Sequence, residues 1–473
     1  MTSLRTSGRL HEALSLGERT LALAEASGDV MAIARTQASH AFVLLDIGRH
    51  LEALWLFEAV ERIAGEAEDM DLLAASLRGS GRACFEMGDY RRALVIFRRA
   101  LELARARGSV GAECAELGHL ANVHRRMGQY DPAIELYRQQ LSTAASMQNR
   151  RLMCVCLNNL AGVFETRGDS LTACGLYEES LALARESRNR LSECVALGNL
   201  GQCLASISRL DDAMLRFHSQ LDLAEEIGHL QSVMTALGRM GMIYRRRGMY
   251  DEAMSSFREQ FRTAWETDNH GQMSLALGNM ATIHSIRGEL SQAINCTEKL
   301  VRTAEKTGDQ RILAGGLSGL GHSLKLAGRL EEAMARLERA AGLFEDLDLQ
   351  YELCGCLYDL ADIRHAGRDP EAPATARRAL EAARRSGDWP RTFFCRMQNA
   401  VTMSTTDPES AASDLEELLL EARDDRQRAA ANMELYRLTG REGNRAAAEG
   451  LYRTLYESFP EWELGRCLDE LSR

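Results

Sequence analysis

Residues 152–187 read LMCVCLNNLAGVFETRGDSLTACGLYEESLALARES, and this stretch decides the fold. Leu157, Leu160 and Phe164 stand at i, i+3 and i+7, which is the spacing of the apolar face of a helix, here called helix A. Gly168 can adopt the left-handed conformation that ends a helix at low cost. Helix B is predicted by a second set at helical spacing: Ala173, Leu176, Tyr177, Leu181 and Ala184. The stretch therefore predicts a helical hairpin.

The same pattern returns every 40 residues along most of the chain. The glycine between the helices recurs, with Ser208 as the one exception, at Gly8, Gly48, Gly88, Gly128, Gly168, Gly248, Gly288 and Gly328. An alanine follows five positions later in every copy: Ala13, Ala53, Ala93, Ala133, Ala173, Ala213, Ala253, Ala293 and Ala333. Such a period is typical of a solenoid, in which each unit buries its apolar face against its neighbours. We predict an all-α fold, a solenoid of tandem helical hairpins.

One position of helix A accepts only small residues, which are Gly81, Ala121, Ala161, Gly201, Gly241, Ala281, Gly321 and Ala361. Glycine inside a helix costs about 1 kcal/mol relative to alanine. Its repeated use therefore predicts that the backbone of a neighbouring helix comes close at this position. Leucine in place of Gly201 or Ala213 is expected to force the hairpin apart.

The regularity of the pattern divides the chain at residue 368. Residues 1–368 form a regular array that starts on a half repeat, because Arg9 to Ala26 read as a helix B without a preceding helix A. Residues 369–473 hold five of the six prolines and read as degenerate repeats. Their predicted helices are 371–386, 390–404, 408–423, 425–439 and 444–458, followed by a capping helix from Glu461 to Ser472.

Composition excludes several classes of protein. The formal net charge is -11, whereas general nucleic-acid binders need an excess of cations. No run of about eighteen apolar residues predicts a membrane span, and the first residues lack a signal-peptide pattern. These features predict a soluble, cytoplasmic protein that neither binds nucleic acid nor inserts into a membrane.

The residues that carry chemistry in enzymes and metalloproteins fall in structural positions of the repeat. Cys114, Cys154, Cys194 and Cys354 share one slot, which favours reduced core thiols over zinc ligands. The run GGLSGLG at 315–321 resembles a phosphate-binding loop, but it lies within helix A and lacks the Gly-Lys-Ser/Thr ending. We therefore predict no catalytic residue, no metal site and no cofactor.

The helix A phrases LGNLG at 197–201 and LGNMA at 277–281 carry a family resemblance. Followed by the turn glycine and the small residue of helix B, they resemble the tetratricopeptide repeat. The usual unit of that family has about 34 residues, and longer units like these are similar to those of LGN-type adaptors, kinesin light chains and bacterial signalling proteins. The resemblance covers Gly8 to about Arg368. It implies a right-handed α-α superhelical solenoid, in which helix A lines a concave surface that binds peptide segments.

Three slots of helix A fall on the surface that the resemblance implies. They supply the candidate peptide-binding residues Asn122, Arg125, Arg126, Glu165, Gln202, Met242, Arg245, Arg246, His322 and Lys325, and their other members include Thr282, Ser285 and Ile286. Arginine pairs recur at 125–126 and 245–246, where guanidinium groups could bind the carboxylates of an acidic partner. The alternative is that these arginines are solvated and only complement the helix dipole. Of the asparagine ladder of LGN adaptors only Asn122 is present, and the Lys and Asn clamp of chaperone adaptors is absent.

Three functional hypotheses remain open. The first is a non-enzymatic scaffold or adaptor whose groove binds a protein or peptide segment. The alternative is the sensory or regulatory portion of a larger bacterial signalling protein that also carries a kinase, cyclase or ATPase. The third is a platform for self-association, and the sequence leaves the oligomeric state undetermined.

Overall fold

The computed structural model describes residues 10–472, and every regular secondary-structure element in that range is an α-helix. Gly8 and Arg9 of the predicted half repeat lie outside the described residues. The chain divides into two compact units, one ending at Ile227 and the other beginning at Gly228. The all-α prediction is confirmed.

The first unit contains α1 (Leu10–Ser27), α2 (Val30–Asp46), α3 (His50–Glu66), α4 (Met70–Glu86), α5 (Tyr90–Ala106), α6 (Val110–Arg126), α7 (Tyr130–Ser146), α8 (Arg150–Thr166), α9 (Ser170–Glu186), α10 (Arg190–Ser206) and α11 (Leu210–Glu226). The second unit contains α12 (Leu230–Arg246), α13 (Tyr250–Glu266), α14 (His270–Ile286), α15 (Leu290–Thr307), α16 (Gln310–Leu326), α17 (Leu330–Asp346), α18 (Gln350–Ala366), α19 (Ala372–Ser386), α20 (Trp389–Met403), α21 (Pro408–Glu421), α22 (Asp425–Thr439), α23 (Glu442–Ser458) and α24 (Trp462–Leu471). Even-numbered helices from α2 to α22 are A helices, and each forms a hairpin with the B helix that follows it.

Within each unit, every helix packs against the helices before and after it in the sequence. This is the tandem hairpin arrangement that the period predicts. The helices predicted after residue 368 are also present, and each begins and ends within two residues of its predicted bounds. The division of the chain at residue 368 stays a prediction.

The small slots form the contact between the two helices of a hairpin. Every alanine of the helix B series, from Ala13 to Ala333, is fully buried. The helix A glycines are close to a side chain: a Cβ atom on Gly81, Gly201 or Gly241 would lie 2.5–2.6 Å from a ring atom of a helix B phenylalanine. At these three positions aromatic rings, and not neighbouring backbone, lie nearest to the glycine. A Cβ atom on Gly321, by contrast, would lie 2.6 Å from Leu337 and 3.3 Å from the carbonyl oxygen of Ala333, so the predicted close approach of backbone is present in that copy.

The turns between helices follow one geometry at both ends of a hairpin. Gly168, between helix A and helix B, has a φ of +88°, and the N–H of the next residue, Asp169, donates to the Phe164 carbonyl at 2.8 Å. Arg188, between helix B and the next helix A, has a φ of +52°, and the Asn189 N–H donates to the Ala184 carbonyl at 2.9 Å. The polar residues 187–190 predict a turn here, but its left-handed conformation was not foreseen. The left-handed position holds a glycine in some copies, which are Gly28, Gly108, Gly228 and Gly308, and another residue in others, which are Glu68, Gln148, Arg188, Asp268 and Asp348.

Ser208 provides a test of the turn geometry, because it keeps the left-handed conformation, with a φ of +63°, where the other copies have glycine. Ser208→Gly is expected to stabilise the first unit by about 0.5 to 1 kcal/mol, since the relief of backbone strain exceeds the entropy that glycine adds to the unfolded chain. Urea denaturation followed by circular dichroism measures the change. Gly128→Ser is the reverse control, because this turn glycine has open space around it. A lower midpoint for Ser208→Gly would contradict the prediction.

Candidate functional site

The A helices of successive hairpins contact each other within each unit. In the first unit α2 touches α4 and α8 touches α10, and in the second unit α12, α14, α16 and α18 touch in order. Among the described residues, no B helices of successive hairpins make contacts of comparable extent. The A helices are thus the more closely spaced layer of each unit. We call the predicted slots on this layer the A-helix face, which comprises residues 122, 125, 126, 165 and 202 in the first unit and residues 242, 245, 246, 282, 285, 286, 322 and 325 in the second.

In the first unit, two of the candidate residues bind tyrosines of the same hairpin. The Tyr137 hydroxyl donates to Oδ1 of Asn122 at 2.8 Å. The Tyr177 hydroxyl donates to Oε2 of Glu165 at 3.2 Å. Both tyrosine side chains are buried, so Asn122 and Glu165 satisfy hydroxyls that would otherwise be costly to bury. These two residues have a structural role whether or not a ligand binds.

The other candidates of the first unit are more accessible. Gln202 is half-buried and Arg126 is exposed. Arg125 is half-buried beside Tyr137, where burial raises the pKa of the tyrosine to about 12 although the arginine opposes the change. The Arg125-Arg126 pair therefore presents one anchored guanidinium and one that points into solvent.

In the second unit, Met242 and Arg246 are exposed and Arg245 is half-buried. The Nε atom of Arg245 is buried without a hydrogen-bond partner among the described residues. A buried donor of this kind has a desolvation cost that a bound acceptor would relieve. Arg245 is therefore the candidate whose geometry most favours an added hydrogen bond.

Four slot residues of the second unit line one cavity of about 330 Å³: Thr282, Ser285, Ile286 and His322. Helices α14 and α16 form its walls, which include Gly278, Gly315, Gly316 and Gly319. Glu461 and Glu463, which flank and begin α24, also line the cavity. The glycine run at 315–321 is thus part of α16, and it contributes to a cavity. The sequence feature that could have indicated the cavity is a pair of glycines four residues apart, which lie on one face of the helix.

Lys325 and His322 form an ion-pair cluster with the next hairpin. The Lys325 ammonium lies 2.7 Å from Oδ1 of Asp359 and 2.8 Å from Oδ2 of Asp362. Nδ1 of His322 lies 2.8 Å from the other carboxylate oxygen of Asp359. Burial alone would raise the pKa of Asp359, but the Lys325 charge and the His322 hydrogen bond outweigh it and hold that pKa at about 2. Two carboxylates thus compensate the charge of Lys325, so it is not a free cation for an acidic partner.

A second cavity, of about 710 Å³, adjoins this cluster. Arg437 lies on its wall and binds both carboxylate oxygens of Glu470, at 2.8 and 2.7 Å. Glu463 and Arg466 of α24 complete the wall together with Lys325. Helix α24 therefore borders both cavities of the A-helix face.

The side chains and helices of residues 10–472 bear on metal binding, membrane insertion and disulfide formation. No grouping of three or more His, Cys, Asp or Glu side chains could hold a metal ion there. No helix in this range combines the length and apolar character that crossing a bilayer needs. All twelve cysteines are free thiols, and eleven of them are buried.

Sequence comparison identifies tetratricopeptide repeats in the chain. Two sequence models of the tetratricopeptide repeat match the chain. One matches residues 30–106 and 152–226, and the other matches residues 116–151 and 236–264. None of the curated proteins is significantly similar to the sequence.

Solved structures with similar folds include a signal transduction ATPase with numerous domains and a tetratricopeptide repeat sensor from Pyrococcus horikoshii. It is 15% identical, with 70% of this chain and 52% of that chain covered at a TM-score of 0.52. Aspartyl phosphate phosphatase F from Bacillus subtilis is 16% identical, with 73% and 92% covered at a TM-score of 0.47. The quorum sensor NprR from B. thuringiensis is 17% identical, with 81% and 99% covered at 0.46. The chain spans about half the length of the archaeal ATPase.

Proposed function

The chain belongs to the tetratricopeptide repeat superfamily, and on this premise we propose that it is a non-enzymatic scaffold or adaptor whose A-helix face binds a peptide or protein segment. The cavity of about 330 Å³ beside His322 carries the proposal, because predicted slot residues from two successive hairpins converge there. A face built by repeated helices suits a partner that extends over several hairpins. No bound cofactor is part of the proposal.

The arginines of the A-helix face support a partner that carries carboxylates. Arg126 and Arg246 are exposed, and Arg245 has a buried donor without a partner among the described residues. Guanidinium groups bind carboxylates with two parallel hydrogen bonds, which adds both strength and specificity. The buried free thiols fit a reducing compartment, so a cytoplasmic location is part of the proposal.

A displayed library of random peptides tests the proposed function. Peptides enriched on the wild-type chain are expected to bind the Arg125/Arg126/Arg245/Arg246 quadruple alanine variant about ten-fold more weakly or worse. The matched control is Arg138→Ala with Arg258→Ala, because these exposed helix B arginines are separated by the same three hairpins as Arg125 and Arg245. Isothermal titration calorimetry with the enriched peptides measures both variants. Equal affinity for the quadruple variant and the control would remove the arginines from the site.

A second candidate function is the sensor portion of a larger signalling protein. Its support is the likeness in fold to the archaeal signal transduction ATPase, whose description names a tetratricopeptide repeat sensor. Sequencing the coding region on both sides of these 473 codons tests it. An in-frame ATPase, kinase or cyclase region would support the sensor function, and immediate stop codons on both sides would contradict it.

A further inference from the structure

The last helix of the second unit contacts a hairpin that is distant from it in sequence. Helix α24 (Trp462–Leu471) touches α14 (His270–Ile286), whereas the other contacts of at least this extent in the unit join helices that are next to each other or next but one. Residues 459–471, here called the C-terminal segment, thus lie along the A-helix face of hairpins far back along the chain. The C-terminal segment therefore occupies a place where a ligand of this face would bind, although it belongs to the same chain.

Two aromatic side chains of the C-terminal segment sit against turn glycines of successive hairpins. A Cβ atom on Gly248 would lie 3.4 Å from Cδ1 of Phe459, and one on Gly288 would lie 2.5 Å from Cδ1 of Trp462. Both glycines end an A helix with a φ of +73°. Gly328, at the same position of the next hairpin, has no such neighbour within 4 Å. The Trp462 ring requires the absence of a side chain at Gly288, whereas the Phe459 ring lies at ordinary van der Waals distance from a Cβ atom on Gly248. We call these two places the seats of the aromatic rings.

One side of the C-terminal segment is anchored to the last hairpin. Leu464 and Leu471 are buried in a cluster with Met433 and Tyr452. Nε of Arg445 also donates to the Leu471 carbonyl at 2.8 Å. The contacts of this side are sufficient for a helix that caps the end of the array. The aromatic side, which lies on the A-helix face, is not needed for such a cap.

The aromatic side is packed incompletely. Phe459 is 41% exposed, Trp462 is half-buried, and the cavities of about 330 and 710 Å³ remain between α24 and the A helices. Apolar contact that leaves such space contributes less than a close-packed core does. A partner that filled the space would therefore bury more surface than the C-terminal segment does.

The charges around the two seats favour a carboxylate beside the aromatic residues. Arg245, Arg287 and Arg426 all lie close enough to Tyr250 to oppose the rise in its pKa that burial causes. Glu461 is the acidic group of the C-terminal segment at this place, and it forms an ion pair with Arg426. Arg287 is paired with Asp251 at 2.6 Å. A partner that displaced the C-terminal segment would separate Glu461 from Arg426, so a carboxylate of the partner in the place of Glu461 would be attracted.

We infer that the C-terminal segment is an internal ligand of the second unit, and that the partner of this face is a peptide that has the same form. It carries two aromatic residues three positions apart, an extended link between them, a helix that begins at the second one, and adjacent carboxylates. The partner competes with Phe459 and Trp462 for the seats at Gly248 and Gly288. This inference rests on the proposed function and specifies its partner class.

The test uses the full chain and a labelled synthetic peptide with the sequence of residues 457–472, with serine in place of Cys467. The peptide is expected to bind a Trp462→Ala variant about ten-fold more tightly than the wild-type chain, because the competing ring is absent. Gly288→Asn in the Trp462→Ala background is expected to abolish the gain, because the asparagine side chain fills the seat while tolerating a positive φ. Gly328→Asn in the same background is the matched control, and it is expected to retain the gain. Fluorescence anisotropy measures all four chains.

Hydrogen exchange separates displacement of the C-terminal segment from unfolding. In Trp462→Ala, faster exchange is expected at the C-terminal end of α14, with unchanged exchange in α18 and α20. If that variant unfolds, Gly288→Asn in an otherwise wild-type chain expels the ring without altering the segment and must produce the same exchange pattern. Equal peptide affinity for wild type and Trp462→Ala, or equal effects of the two asparagine variants, would overturn the inference. The proposed function is judged separately, by whether the enriched peptides depend on the four arginines.

Discussion

Lys325→Met is expected to destabilise the hairpins around α16 and α18 by about 3 to 5 kcal/mol at a pH where His322 is neutral, because it leaves a buried carboxylate without a cation. Asp359 is 8% exposed, and its carboxylate is held by Lys325 at 2.7 Å and by His322 at 2.8 Å. Methionine keeps the length of the side chain but supplies neither charge nor donor. Urea denaturation and hydrogen exchange in α16 and α18 measure the loss, since unfolding of a repeat array is not confined to one transition.

Two further variants test whether the uncompensated charge is the cause. Lys325→Met combined with Asp359→Asn removes both charges and is expected to recover much of the lost stability. Lys299→Met, at an exposed position of helix B, is expected to change stability by less than about 0.5 kcal/mol. A double variant as unstable as Lys325→Met alone would show that packing, and not charge, is responsible.

The stability of this ion-pair cluster depends on pH because two pKa values shift in opposite directions. The folded-state pKa of Asp359 is lowered to about 2, so its contribution to stability is present above its unfolded pKa of about 3.9 and is lost as pH falls through 2. Burial alone would lower the pKa of His322, but the hydrogen bond to Asp359 and the negative charge of Asp359 together raise it. The contribution of His322 is therefore present below about pH 6.5 and is lost as pH rises. Lys325→Met is expected to enlarge the loss of stability that accompanies deprotonation of His322, because the His322 imidazolium becomes the only cation on Asp359.

The sequence predicts this fold well because the same pattern is repeated in many copies. A single apolar set such as Leu157, Leu160 and Phe164 is compatible with several structures. Its return every 40 residues, with a turn glycine and a buried alanine in register, leaves the hairpin array as the consistent interpretation. The left-handed conformation of the turn after helix B escaped prediction because glycine occupies its position only in some copies, such as Gly28 and Gly108, whereas Glu68 and Arg188 adopt it without glycine.

The candidate site was only partly predictable. The slots that contain Thr282, Ser285 and His322 do line a cavity, since their spacing along helix A fixes which face they share. The pairing of Lys325 was missed because its partners lie one hairpin later. Register could have revealed such pairs, since Arg167 with Asp131 and Arg287 with Asp251 are each separated by 36 residues.

The contact between the C-terminal segment and α14 could not be predicted by the same reasoning. A repeat sequence encodes contacts between neighbouring units, and the partner of Trp462 lies several hairpins earlier. In the sequence, Gly288 is recognised only as the glycine that ends a helix, which is one of its two roles. Only the three-dimensional arrangement shows that its missing side chain accommodates a ring.

Gly201→Leu is expected to destabilise the first unit by about 3 kcal/mol through overpacking. A Cβ atom on Gly201 would already lie 2.6 Å from Cε1 of Phe217, whose side chain is 1% exposed. The ring cannot move away without displacing other buried side chains, so α10 and α11 must separate. Urea denaturation, with hydrogen exchange in these two helices, measures the effect.

Gly175→Leu is the matched control, because Gly175 is an exposed glycine inside helix α9, and a Cβ atom on it would have no neighbour within 4 Å among the described residues. This control is expected to be neutral or stabilising by up to about 1 kcal/mol, since it removes only the helix penalty of glycine. Phe217→Ala in the Gly201→Leu chain removes the opposing ring and is expected to give a favourable coupling energy of about 1 to 3 kcal/mol in a double-mutant cycle. A coupling near zero would mean that helix backbone, and not the ring of Phe217, requires glycine at position 201.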